Sequence, residues 1–78
     1  MKLGHLDTER CHKDFGEFIR KARNARGFTQ LEISEIVGIT QSYYSRIEIG
    51  KRDIDLALAL KICGALNLDI KDFVELYM

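Results

Sequence analysis

Apolar residues recur along the chain at intervals of three and four, the spacing of a helix that buries one face. Phe15, Phe18, Ile19 and Ala22 make the first such set; Asp14 followed by Glu17 reads as its start and Gly27 as its stop, which predicts a helix over about 14–26. Thr29 followed by Glu32 is a capping box, and it opens a short helix over about 29–37 that carries Ile33, Ile36 and Val37 before Gly38 ends it. Thr40 caps a third helix, with Tyr44 and Ile47 inward and Gly50 as its stop. Asp55 caps a fourth, whose Leu56, Ala59, Leu60, Ile62, Cys63 and Leu66 are apolar and which ends at Asn67, a residue that tolerates the left-handed conformation. Asp69 caps a fifth, with Ile70, Phe73, Val74 and Tyr77 on one stripe. No segment alternates with period two for long enough to make a strand, so the pattern predicts an all-α fold, a compact five-helix bundle. Residues 1–13 lack a period and are expected to form a partly ordered N-terminal arm, with 14–78 as the domain proper.

The stretch from Gln30 to Ile49 reads as one unit of helix, three-residue turn and helix. Two helices crossing at a wide angle over so short a turn need a residue free to adopt positive φ, and Gly38 stands there. They also need a small side chain at the contact, which Ser34 supplies. Ile33, Val37, Ile39, Tyr44 and Ile47 fall on the inner surfaces, leaving Gln41, Ser42, Tyr43, Ser45 and Arg46 outward on the third helix. A face of amides, hydroxyls and one guanidinium is unusual for a merely solvated helix, which would carry more Lys and Glu. These are side chains that pair with base edges.

At 78 residues the chain is one domain. Twelve basic and twelve acidic side chains cancel, which by itself argues against a nucleic-acid partner. Their distribution reverses that impression: residues 1–52 hold ten Lys/Arg against seven Asp/Glu, and residues 53–78 hold two against five. One end is suited to phosphate and the other is not. With no apolar run near the ~18 residues of a membrane span and no signal-peptide core, the chain is expected in the cytoplasm, away from membranes. Two cysteines make no disulfide framework and fit a reduced compartment. His5, Cys11 and His12 have no fourth ligand and no C-x-x-C spacing, so neither metal nor cofactor is expected. No phosphate-binding glycine loop, activated nucleophile or paired carboxylates point to an enzyme or to a small-molecule substrate.

The stretch FTQLEISEIVGITQSYYSRIEIGKR, within a similarity over about residues 15–73, resembles the XRE family, the helix-turn-helix domains of phage-repressor and Cro-like regulators. The resemblance implies a lambda repressor-like domain that binds double-stranded DNA, usually as a homodimer. It implies base reading by Gln41, Ser42, Ser45 and Arg46, and backbone contacts by Gln30, Thr40, Tyr43, Gly50, Lys51 and Arg52. An ion pair that braces the first helix against the third maps onto Arg23 and Glu48. Ser34 stands where the family prefers Ala, Ile54 where it usually has Pro, and Ile49 replaces a polar residue. Leu31 and Ile36 are apolar where charge is usual, which suggests an additional contact surface. A dimer interface is expected at the acidic C-terminal end, on Leu66, Leu68, Ile70, Phe73, Val74 and Tyr77, although the same stripe also suits intramolecular core. The roles left open are a stand-alone repressor, an antitoxin and a restriction–modification controller, the last favoured by the ending LKICGALNLDIKDF. A helical protein-interaction module that binds no DNA is the alternative from another class.

Overall fold

The helix termini decide the architecture, because each helix begins at a polar side chain that accepts from the backbone N–H groups of its own first turn. The computed structural model describes residues 7–77, and over them α1 runs Thr8–Ala25, α2 Gln30–Val37, α3 Gln41–Glu48, α4 Leu56–Ala65 and α5 Ile70–Val74, followed by a 3-10 turn Glu75–Tyr77. There is no strand among the described residues. Thr29 and Glu32 close the capping box reciprocally: Glu32 N donates to Thr29 Oγ1 at 3.0 Å and Thr29 N to Glu32 Oε1 at 2.8 Å. Thr40, Asp55 and Asp69 cap α3, α4 and α5 as expected. Gly38 leaves α2 at φ 81°, and Asn67, at φ 54°, turns the chain from α4 toward α5.

The start of α1 differs from expectation. Asp7 is its N-cap, accepting from Glu9 N at 3.0 Å and Arg10 N at 3.3 Å, so residues 8–13 are helix rather than arm. Asp14 lies inside the helix, where its Oδ2 accepts from the Tyr77 hydroxyl at 2.7 Å, and Glu17 pairs with Lys21 one turn on at 3.0 Å. The acidic spacing that imitates a capping box is therefore one tie to the C-terminal turn and one solvent-side pair. Residues 1–6, including His5, and Met78 lie outside the described residues.

The core is Phe15, Ile19 and Ala22 of α1, Ile33, Tyr44 and Ile47 of the central unit, Ala59, Ile62, Cys63 and Leu66 of the α4 region, and Phe73. Phe73 meets Phe15 edge-on with ring centroids 5.2 Å apart, which docks α5 onto α1. Burial raises the Cys63 thiol, with the Asp69 carboxylate adding to the effect, so it is an inert core residue. Of the apolar residues of α4, Leu56 and Leu60 stand on its exposed face.

Candidate nucleic-acid interface

Helices α2 and α3 are held at a fixed angle by the turn Gly38–Ile39–Thr40 and by Ser34. The Ser34 side chain is buried at the crossing and donates to the Leu31 carbonyl at 2.7 Å, so its hydroxyl costs no unpaired polar group there. Ile33, Tyr44 and Ile47 are buried as the sequence predicts, while Val37 and Ile39 are half-buried. With that side of α3 anchored, Gln41, Ser42 and Arg46 project outward and exposed, and Ser45 and Tyr43 are half-buried beside them.

The end of α3 is fixed by charge. Arg23 and Glu48 pair bidentately, Nε to Oε2 at 2.7 Å and Nη2 to Oε1 at 3.1 Å, and Arg23 Nη1 also donates to the Phe28 carbonyl at 2.9 Å. The Glu48 side chain is 1% exposed and that of Arg23 12%, so this is a buried brace between α1 and α3 rather than a surface pair. Burial of Glu48 works against its charge, but the hydrogen bond from Arg23, with Tyr44 and Gln30 close by, outweighs that cost and holds the carboxyl below its ordinary value. Arg23 is raised by the hydrogen bond to Glu48. The Tyr44 hydroxyl is buried at the same junction without completing a hydrogen bond; burial first, and Glu48 second, raise its phenol.

Gln30, expected at the DNA backbone, is half-buried and donates its side-chain amide to Glu48 Oε1 at 3.0 Å. It thus ties the head of α2 to the brace, a role the sequence reading missed. Thr40 is spent in part on capping, accepting from Tyr43 N at 3.1 Å. After α3 the chain turns at Gly50, φ 76°, and leaves Lys51 and Arg52 exposed. The Arg52 guanidinium carbon lies 4.4 Å from the centroid of the Tyr43 ring, a cation–π contact that carries the basic turn back over the start of α3. Thr40, Ser42, Tyr43, Arg46 and Arg52 consequently line one shallow polar depression. Five of the residues expected to read bases or touch backbone thus converge.

Two glycines carry an unforeseen part of this geometry. At Gly16 a Cβ would stand 2.5 Å from the Ile47 carbonyl oxygen and 2.7 Å from the Glu48 carbonyl carbon, so α1 crosses the last turn of α3 backbone to backbone. At Gly50 it would stand 2.7 Å from Lys13 Cα. A glycine inside an amphipathic helix is the signal for the first, since it weakens the helix by about 0.5–1 kcal/mol unless something needs the space.

Of the expected interface residues, Leu66 is 0% and Phe73 7% exposed, so both are core and offer nothing to a partner. Leu68, Ile70 and Tyr77 are half-buried and Val74 is exposed, as are Leu31, Ile36 and Ile49. No cluster of three or more metal-ligating side chains occurs among the described residues, and no helix among them is long and apolar enough to cross a membrane.

Residues 19–73 match the Helix-turn-helix family. The chain is 35% identical over 54 residues to the SPbeta prophage-derived uncharacterized HTH-type transcriptional regulator YonR of Bacillus subtilis, covering 69% of this chain and 50% of that protein. It is 36% identical over 59 residues to the antitoxin PezA of Streptococcus pneumoniae, covering 76% of this chain and 37% of PezA. Among solved structures it is similar to the restriction-modification controller protein C.AhdI of Aeromonas hydrophila, with a TM-score of 0.78, 28% identity, and coverage of 86% of this chain and 97% of that one. The chain thus spans half or less of YonR and PezA and almost all of the controller.

Proposed function

The chain belongs to the helix-turn-helix family of DNA-binding transcriptional regulators, and on that premise we propose that it acts in the cytoplasm as a homodimer on a palindromic operator, by binding rather than catalysis. Gln41, Ser42, Ser45 and Arg46 read bases from α3; Thr40, Tyr43, Gly50, Lys51 and Arg52 meet the backbone, and Gln30 serves mainly to brace Glu48. The observation that carries this reading is the outward face of α3, polar and exposed while its opposite side is buried and its end is pinned by a bidentate ion pair. A rigid helix with a chosen polar face is what base discrimination requires. Among the roles open to such a regulator, restriction–modification control is supported by the match over nearly the whole length of C.AhdI. The match to PezA, over a smaller share of that protein, supports the antitoxin role less.

Gln41 pairs in both directions with adenine and Arg46 with guanine, each contact worth about 1–3 kcal/mol of discrimination. Gln41→Ala and Arg46→Ala are therefore expected to weaken operator binding by that amount while leaving binding to random-sequence DNA nearly unchanged. Competition assays at a single salt concentration check it, and equal losses on both DNAs would exclude base reading by these residues.

Two copies related by a two-fold axis would place two α3 helices one DNA turn apart. The surface offered for pairing is the acidic C-terminal end, where Val74 and Leu76 are exposed and Leu68, Ile70 and Tyr77 half-exposed. Val74→Glu would set like charges face to face across the axis, and sedimentation at micromolar concentration is expected to report a monomer with weakened operator binding. A variant that stayed dimeric would move the interface elsewhere, most directly to Leu31 and Ile36.

A further inference from the structure

A cavity of about 180 Å³ opens between α1, the segment after the basic turn, α4 and α5, walled by Cys11, Phe15, Ile54, Ile70 and Phe73 and lined also by Arg52. The same Arg52 lines the polar depression at the start of α3, with its guanidinium over Tyr43. One side chain therefore belongs both to an apolar cavity and to the face assigned to DNA. We propose that this cavity binds a small carboxylate bearing one ring or a short branched chain, and that binding weakens DNA affinity through Arg52.

Size and charge select the ligand. An apolar protein cavity of about 150 Å³ admits a benzene-sized molecule, so this one suits a single ring and excludes drug-sized compounds. Its walls are aromatic and aliphatic, which favours an apolar body. The other basic group at this cavity, His12, already has its Nδ1 3.4 Å from Asp53 Oδ1. Arg52 has no carboxylate partner among the described residues, and its planar fork matches a carboxylate in two hydrogen bonds. The guanidinium can accept that anion at its edge while its face stays on the Tyr43 ring. The charge so neutralised is one that, in the function proposed above, meets phosphate, and the coupling rests on that reading. By linkage DNA must weaken the ligand as much as the ligand weakens DNA.

Benzoate is the probe, with benzyl alcohol as its uncharged counterpart, followed by methyl and aromatic NMR shifts of the DNA-free protein. Saturable shifts at Ile54, Ile70 and Phe73 are expected with benzoate, and Arg52→Met should weaken benzoate at least tenfold while leaving benzyl alcohol unchanged. Absence of saturable shifts at millimolar benzoate, or equal binding to wild type and Arg52→Met, overturns the site. Saturating benzoate should lower the DNA affinity of the wild type on the order of tenfold, as the loss of one phosphate contact in each protomer would. Ala59 also lines the cavity, and filling it by Ala59→Leu, or by Ile54→Phe if the first fails to fold, should abolish that sensitivity and leave DNA affinity intact. Benzoate binding without any change in DNA affinity overturns the coupling; if Arg52→Met also binds DNA as wild type does, the fault lies in the assignment of Arg52 to phosphate.

Discussion

Glu48→Ala is expected to lower the melting temperature by more than about 10 °C and to abolish operator binding at temperatures where the wild type is folded. The substitution leaves the Arg23 guanidinium, 12% exposed, with the Phe28 carbonyl as its only remaining partner in the described structure, and also frees the Gln30 amide. Stranding one charge of a buried pair costs about 3–5 kcal/mol, and in a domain of 60–100 residues each kcal/mol moves the melt by roughly 4–8 °C. A small domain holds only about 5–15 kcal/mol in all. The pH dependence carries the same signature. Glu48 titrates below its ordinary value of 4.5 when folded, so its stabilisation is complete above that value and is lost as the pH falls through the lower, folded one. Arg23, raised above its ordinary value by the hydrogen bond to Glu48, contributes throughout the accessible range. Wild-type stability should therefore fall more steeply on acidification than that of Glu48→Gln. Thermal melts at neutral pH and through an acid series measure both effects, and an unchanged melt for Glu48→Ala would mean that the pair contributes no net stability.

What could be read from the residues was whatever local chemistry decides. Thr29 with Glu32, Thr40, Asp55 and Asp69 act within one helical turn, and all four caps are where their spacing places them. The buried side of α3 follows from Tyr44 and Ile47 falling on one stripe. What escaped depends on partners distant in the chain. Asp14 and Glu17 have the spacing of a cap, yet Asp14 answers to Tyr77, 63 residues away, and no local rule reveals it. The true cap, Asp7, precedes the polar run Thr8, Glu9 and Arg10, so periodicity had nothing to report there. For Gln30 the resemblance implies only a DNA-backbone contact, and its bond to Glu48, 18 residues away, has no local signal. Leu66 and Phe73 were read as interface because apolarity says that a residue is buried without saying against what. The pairing of Arg23 with Glu48 was legible only through family resemblance, since 25 residues separate them.

Gly16→Ala is expected to destabilise the protein by about 3 kcal/mol or more, whereas Gly64→Ala is expected to be neutral or stabilising by about 0.5–1 kcal/mol. Both glycines lie inside helices, and propensity alone would make both substitutions favourable. They differ in what a methyl group would meet. At Gly64 nothing lies within 4 Å, while at Gly16 the Cβ would press on the carbonyl groups of Ile47 and Glu48, atoms that no rotamer change can move aside. Relief requires α1 and α3 to separate, and that separation lengthens the contacts of 2.7 and 3.1 Å between Arg23 and Glu48. The close approach at Gly16 and the buried ion pair are thus one joint: the glycine admits the backbone of α3, and the charges then hold its end. Loss of the joint tilts the face that carries Gln41 and Arg46, so operator affinity should fall in Gly16→Ala at temperatures where circular dichroism still reports full helix content. Denaturant midpoints of the two variants, measured side by side, decide the matter. Equal midpoints would show that the helices can part at Gly16 without loss and that the brace alone sets the position of α3.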